Sequence, residues 1–301
     1  MNLRAVRREA LQSDDPGERR RAGVDVLREL DAYHCVLVDG AFPGGTARRM
    51  HDLLERLFAL PLEEKLRYPS SGTMQPGFAP MGHARALDTG IPNLLETWLV
   101  PEERQDLWPS AMVEEWRTTL SFKRALRRVA VDVLRALETA LGCRPEELVA
   151  PLHETGFLRF YHYPPVSGPP LDGARRQSKH CDMSVVTLLP AASARGLEIC
   201  DARGLWHPIN VGEEQCLVQT GHLLTRMTGD RLPACLHTVE IYPEDAGSIR
   251  YSTPFFLPTA PEAIISVLPP FQAEAGHRYP PATAAEISRD YFSRIFGNVA
   301  R

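Results

Sequence analysis

The chain has 301 residues, 44% hydrophobic and 24% charged, the balance of an ordinary globular protein long enough to bury a sizeable core. Its formal net charge of −4 argues against a nucleic-acid partner, and no apolar run approaches the roughly 20 residues that span a bilayer. The amino-terminal stretch lacks the apolar segment of a secretory signal. The six cysteines are scattered with no Cys-x-x-Cys, so free thiols in a reducing cytoplasm are expected.

From the amino end, GERRRAGVDVLRELDAYH places Val24, Val26, Leu27 and Leu30 near helical spacing and predicts a helix. Its basic run, Arg19 to Arg21, sits beside Asp14, Asp15 and Glu18 and reads as a solvated face. CVLVDGAF reads as a short strand that turns at Gly40. GGTARRMHDLLERLFALPLEEKLRYP is a second amphipathic helix, with Met50, Leu53, Leu54, Leu57 and Phe58 on one side and Pro61 closing it. The longest helical pattern carries Leu120, Leu126, Val129, Val133, Leu134 and Leu137, and Gly142 stops it.

After about residue 155 the pattern changes to short β-branched, aromatic and apolar runs separated by Gly, Pro and Asp. They include GFLRFYHY, SVVTLLP, LEIC, WHPINV, CLVQTG, LHTVEIY, SIRYSTPFFLP and AIISVLPP. Strands so closely spaced predict an antiparallel sandwich or barrel, followed by a final helix over AAEISRDYFSRIFG. The fold class expected is therefore mainly β with flanking helices, an α+β arrangement. Residues 1–150 form a mostly helical region and 151–301 the strand-rich core. No low-complexity linker separates them, so one compact unit is expected.

The chemistry concentrates in the second half. His180 and Asp182 are two apart, so on a strand they share a face while Cys181 points away. Alone the pair means little: with 10 histidines and 38 acidic residues, chance supplies about one His-x-acid pair. A third ligand is offered by His237 in the strand-like ACLHTVEIY. Arg250 and Ser252 again share a face of an apolar strand, which is costly unless an anion meets them. A guanidinium grips a carboxylate through two parallel hydrogen bonds, and the serine hydroxyl adds a donor. Two histidines and a carboxylate on one face of an octahedron are the arrangement of non-haem Fe(II) oxygen chemistry.

Several stretches, in order, then give a resemblance: DAYHCVLVDG, LFALPLEEKLRYP, LWP, LGCRPEELV, LRFYHYPP, HCDMSVVTLL, GLWHPI, CLHTVE and RYS. The chain resembles the isopenicillin N synthase-like branch of the 2-oxoglutarate and Fe(II)-dependent dioxygenases over nearly its whole length. The resemblance implies a distorted double-stranded β-helix, or jelly roll, with helices packed outside. It implies Fe(II) on His180, Asp182 and His237, and 2-oxoglutarate held by Arg250, Ser252 and Tyr163. O2 would be the second co-substrate and ascorbate the reductant in vitro. No catalytic residue beyond the metal ligands is implied. The expected partner is a small-molecule substrate rather than nucleic acid or membrane, with the protein a monomer or weak homo-oligomer.

Departures from the family pattern are Tyr161 for a usual Asn, Gln219 and His222 for an Asn and an Asp, and Thr238 for an Arg. Arg159, Tyr161 and His222 are candidate substrate contacts. His162 should face away from them. Two long stretches, residues 166–179 and 71–98, read as irregular lid candidates, with Arg175 and Arg176 read as solvated loop charges in preference to contacts for an anionic substrate. The expected activity is oxidation of a C–H bond of a small organic molecule in specialised metabolism, by hydroxylation, desaturation, ring formation or epimerisation. Three alternatives stand beside it. One is an oxidase of the same fold in which Arg250 and Ser252 bind the substrate's own carboxylate. The others are a zinc hydrolase and a non-catalytic binding jelly roll.

Overall fold

A computed structural model describes residues 3–72, 75–83, 90–166, 174–245, 247–275 and 278–296. Among these, the strands in chain order are β1 (Ala5–Arg7), β2 (Cys35–Asp39), β3 (Gly77–Ala79), β4 (Glu96–Leu99), β5 (Phe157–Tyr163), β6 (Gln177–His180), β7 (Val186–Pro190) and β8 (Leu197–Cys200). They continue with β9 (Trp206–Pro208), β10 (Cys216–Thr220), β11 (His237–Val239), β12 (Arg250–Ser252), β13 (Phe255–Leu257), β14 (Ile264–Ile265) and β15 (Ala282–Thr283). The larger sheet runs β1-β2-β10-β7-β13-β5-β4-β3, with β12 also paired to β5; the smaller runs β6-β11-β8-β9. The strand pairs are antiparallel except β1 with β2.

Side-chain alternation builds two cores on the two faces of the larger sheet. Val36, Val38, Val186, Leu188, Val218 and Phe255 point outward into a core shared with the helices. Cys35, Leu37, Leu189 and Leu217 point inward, where they meet Leu197, Ile199 and Ile209 of the smaller sheet. Strands buried on both faces read as continuous apolar runs rather than alternating ones. That is why SVVTLLP and CLVQTG stand out in the sequence. The two facing sheets form the jelly roll, and the expected α+β class with outer helices holds.

Helix Pro16–Tyr33 starts at Asp15, whose carboxylate accepts the Gly17 N–H at 2.8 Å, with proline in its first turn. It packs on the long helix Val113–Leu141. Val24, expected on its apolar side, is exposed. The contact face is set instead by Gly23, where an added Cβ would sit 2.2 Å from the Ala136 carbonyl oxygen. The helix predicted to end at Pro61 spans Thr46–Phe58, and a separate short turn, Leu62–Lys65, follows the proline. The residue 71–98 stretch is not wholly irregular, since it contains β3 and part of β4. Those strands, like β1, have three or four residues, too few to show a period in sequence. The lid expectation over residues 84–89 and 167–173 lies outside the described residues.

Candidate active site

β6 and β11 are neighbours in the smaller sheet, and His180 and His237 are register partners. Their rings lie 4.2 Å apart between centroids. Asp182 lies just past the end of β6, so strand alternation does not place it as the sequence suggested. It is fixed by the backbone: the His222 N–H donates to the Asp182 carbonyl at 2.9 Å, and the Gly221 N–H to Val185 at 3.0 Å. Gly221 is required there, since a Cβ would meet the Ser184 carbonyl oxygen at 2.2 Å. One donor atom each from His180, Asp182 and His237 lies within 4.8 Å of the others. Asp182 Oδ1 is 3.5 Å from His180 Nε2, and Oδ2 is 3.9 Å from His237 Nε2.

The donor set is oriented for a metal. His180 Nδ1 meets the Ser178 carbonyl at 2.7 Å and His237 Nδ1 meets the Cys235 carbonyl at 3.1 Å. A carbonyl only accepts, so each Nδ1 carries the proton and each Nε2 presents a lone pair toward Asp182. Burial, and then the neighbouring His237, push His180 down to about 4. Its imidazole is therefore neutral at physiological pH, the form that binds a metal. Cys181 is not in the ligand cluster; its thiol lies 3.7 Å from the Ala234 carbonyl.

A cavity of about 180 Å³ takes in His180, Asp182 and His237 together with Tyr161, Tyr163, Arg250 and Ser252. β12 pairs with β5 so that Arg250 is opposite Tyr163 and Ser252 opposite Tyr161. Arg250 is 4% exposed, donates through Nε to the Ala194 carbonyl at 3.0 Å, and stands 4.8 Å over the Tyr163 ring. Its Nη1 is buried without a partner, and among the described residues no carboxylate pairs with it. A buried, half-satisfied guanidinium is costly unless an anion completes it. The donor set and this orphaned Nη1 together fit a metal ion chelated by a small keto diacid.

Gln177 is not singled out by the sequence. The register slips between β6 and β11, where three steps on one strand match two on the other. That bulge turns Gln177 into the cavity beside His180. Its amide bridges the Tyr163 hydroxyl at 3.2 Å and His180 Nε2 at 3.1 Å. Bulges leave no sequence signature, so alternation alone misses it.

Of the candidate substrate contacts, Tyr161 lines the cavity and is buried, and burial raises its hydroxyl to about 12, so it stays a donor. Arg159 is half-buried and hydrogen-bonds the Tyr161 hydroxyl without lining the cavity. His222 opens a short helix and packs against Tyr291, 4.8 Å between ring centroids. His162 faces the other way, as expected, with Nδ1 2.7 Å from Glu96. The Gln219 amide is buried with neither atom partnered, and the Thr238 hydroxyl donates to the Gln177 carbonyl at 2.9 Å. Arg176, expected to be solvated, is 1% exposed. It lies beneath the segment leading into β12 rather than on a loop surface, bonded to the Ser248 carbonyl at 2.7 Å.

The model of the 2OG-Fe(II) oxygenase superfamily matches residues 154–259, the segment that carries all of these residues except Tyr291 and Glu96. A 2-oxoglutarate-Fe(II) type oxidoreductase, hxnY, of Emericella nidulans is 29% identical over 83% of this chain and 77% of its own length. The 2-oxoglutarate-dependent dioxygenase ucsF of an Acremonium species is 28% identical over 82% of this chain and 85% of its own. A Caulobacter crescentus structure assigned to the 2OG-Fe(II) oxygenase family superposes with a TM-score of 0.83 at 25% identity, covering 98% of this chain and 99% of that one. A Neurospora crassa protein solved with alpha-KG and thymine shares the fold at a TM-score of 0.82 and 19% identity, over 94% of each chain. The chain belongs to the 2OG-Fe(II) oxygenase superfamily and is an Fe(II)- and 2-oxoglutarate-dependent oxidoreductase.

Proposed function

We propose that the protein oxidises a C–H bond of a small organic molecule, with Fe(II) held by His180, Asp182 and His237 and 2-oxoglutarate by Arg250, Ser252 and Tyr163. The observation that carries the reading is one cavity holding both a three-ligand cluster and a buried guanidinium with an unpartnered Nη1. When bound, the iron and 2-oxoglutarate supply the activation of O2 that couples decarboxylation of the keto acid to substrate oxidation.

The chain's own residues orient and enclose. The Ser178 and Cys235 carbonyls hold the two imidazoles in the metal-binding tautomer. Arg250 and Ser252 fix the distal carboxylate, and the Tyr163 hydroxyl adds a hydrogen bond. Apolar side chains such as Leu189, Leu197 and Phe256 wall the cavity, so the fixed charges act in a low-dielectric, water-poor space. Tyr161 presents a hydroxyl to the cavity that holds the metal-binding cluster, suited to a substrate carbonyl or carboxylate, and Arg159 is bonded to that hydroxyl. The small-molecule class accords with the thymine held by the Neurospora protein.

The test supplies Fe(II), ascorbate, O2 and 2-oxoglutarate to the protein with a panel of small organic compounds. A compound that raises succinate output and leaves as a more oxidised product supports the reading. The same product formed at the same rate without 2-oxoglutarate overturns it in favour of an oxidase in which Arg250 and Ser252 grip the substrate.

A further inference from the structure

Arg176 is among the largest fully buried side chains of the protein, 1% exposed. Its Nη2 donates to the carbonyls of Asp245 at 3.3 Å and Ser248 at 2.7 Å, and its Nε has no partner. Among the described residues it forms no ion pair. Asp245 is the carboxylate nearest in effect, and that group is already paired with Arg195. Next in the chain is Gln177, whose amide holds the Tyr163 hydroxyl. The Arg250 guanidinium lies over the same tyrosine ring. Burial, and then the charge of Arg250, make the protonated form of Arg176 harder to keep. Both guanidinium charges act on the Tyr163 hydroxyl, and among the described residues neither forms an ion pair with a carboxylate.

Isolated buried charge is expensive, and a second buried like charge behind the cavity wall, one residue from the lining Gln177, adds to that cost. A fold tolerates them where a ligand brings the opposite charge. We propose that Arg176 is a positioning residue for the co-substrate: a second buried guanidinium that biases the Arg250 end of the cavity toward a terminal carboxylate. Its bonds to Asp245 and Ser248 also hold the segment that enters β12. The proposal rests on the reading of this cavity as the 2-oxoglutarate site. A staple alone would tie down the backbone and leave ligand choice untouched. A charge acts on the carboxylate specifically.

The experiment measures dissociation constants on the full chain loaded with Mn(II), by calorimetry, for two acids. One is 2-oxoglutarate. The other is 2-oxopentanoate, which keeps the keto acid and lacks the distal carboxylate. Wild type should prefer 2-oxoglutarate. Arg176→Gln should weaken 2-oxoglutarate by about tenfold, the scale of one uncompensated charge at intermediate dielectric, and leave 2-oxopentanoate nearly unchanged. Arg176→Lys should keep most of the preference. Equal weakening of both acids by Arg176→Gln, or no weakening, overturns the proposal and leaves Arg176 a staple. If Arg176→Gln does not fold, the lysine variant decides: a lost preference despite the retained charge overturns the proposal. A wild type that binds both acids equally overturns the underlying site reading, a result distinct from any difference between variants.

Discussion

His180 and His237 face each other across adjacent antiparallel strands, each with its Nδ1 on a backbone carbonyl and its Nε2 toward Asp182. The sheet register, not proximity in sequence, brings the two imidazoles together. His180→Ala and His237→Ala should each abolish tight divalent-metal binding while leaving the fold intact, because a surrounding sheet and not the ring holds the strand. Titration with Co(II), followed by calorimetry alongside far-UV circular dichroism, checks this. Full-affinity binding in either variant would remove that histidine from the ligand set.

Gly221 lets the chain pass Ser184 at a distance no side chain permits. Gly221→Ala should destabilise the protein by about 1–3 kcal/mol, the usual cost of overpacking. It should also weaken metal binding, since the displaced backbone is the one that holds Asp182. Urea unfolding paired with the Co(II) titration measures both. A stability loss with unchanged metal affinity would separate Gly221 from the site.

Behind β5, Glu96 joins Lys65 and His162 at 2.8 and 2.7 Å. Burial alone would raise this carboxyl, but the hydrogen bonds from His162 and Lys65 prevail and hold it below the ordinary carboxylate value. A depressed carboxylate adds stability above its unfolded value, and that stability is lost as pH falls through the lower folded value. Glu96→Gln should therefore be less stable than wild type at neutral pH, with the gap closing as the pH drops below the carboxylate range. Denaturant midpoints against pH test it; a gap that is constant with pH would mean the ionised form contributes nothing.

Much of the candidate site's geometry is legible in the sequence because strand spacing places its side chains. Arg250 and Ser252 obey strand alternation, and Tyr163 and Tyr161 sit opposite them in register. β7 and β10 are visible for a different reason, as continuous apolar runs buried on both faces. What escapes the sequence depends on backbone irregularity or on distant burial. The bulge in β6 brings Gln177 into the cavity, and the turn after β6, not the strand, delivers Asp182. Arg176 looks like a loop charge because nothing in GARRQSK reveals that the Asp245 and Ser248 carbonyls close over it. Very short strands such as β1 and β3 carry no period to read.

If one cavity joins iron held by His180, Asp182 and His237 to a carboxylate anchor at Arg250, succinate formation depends on both ends. Wild type, Asp182→Ala and Arg250→Met are compared with Fe(II) or Zn(II), with 2-oxoglutarate present throughout. Succinate is expected from the wild type with Fe(II) and none with Zn(II). None is expected from Asp182→Ala, and from Arg250→Met only at a 2-oxoglutarate concentration raised by about tenfold or more, the loss for a charge-assisted anchor. Succinate formed undiminished by Asp182→Ala, or an unchanged 2-oxoglutarate requirement in Arg250→Met, would contradict that dependence.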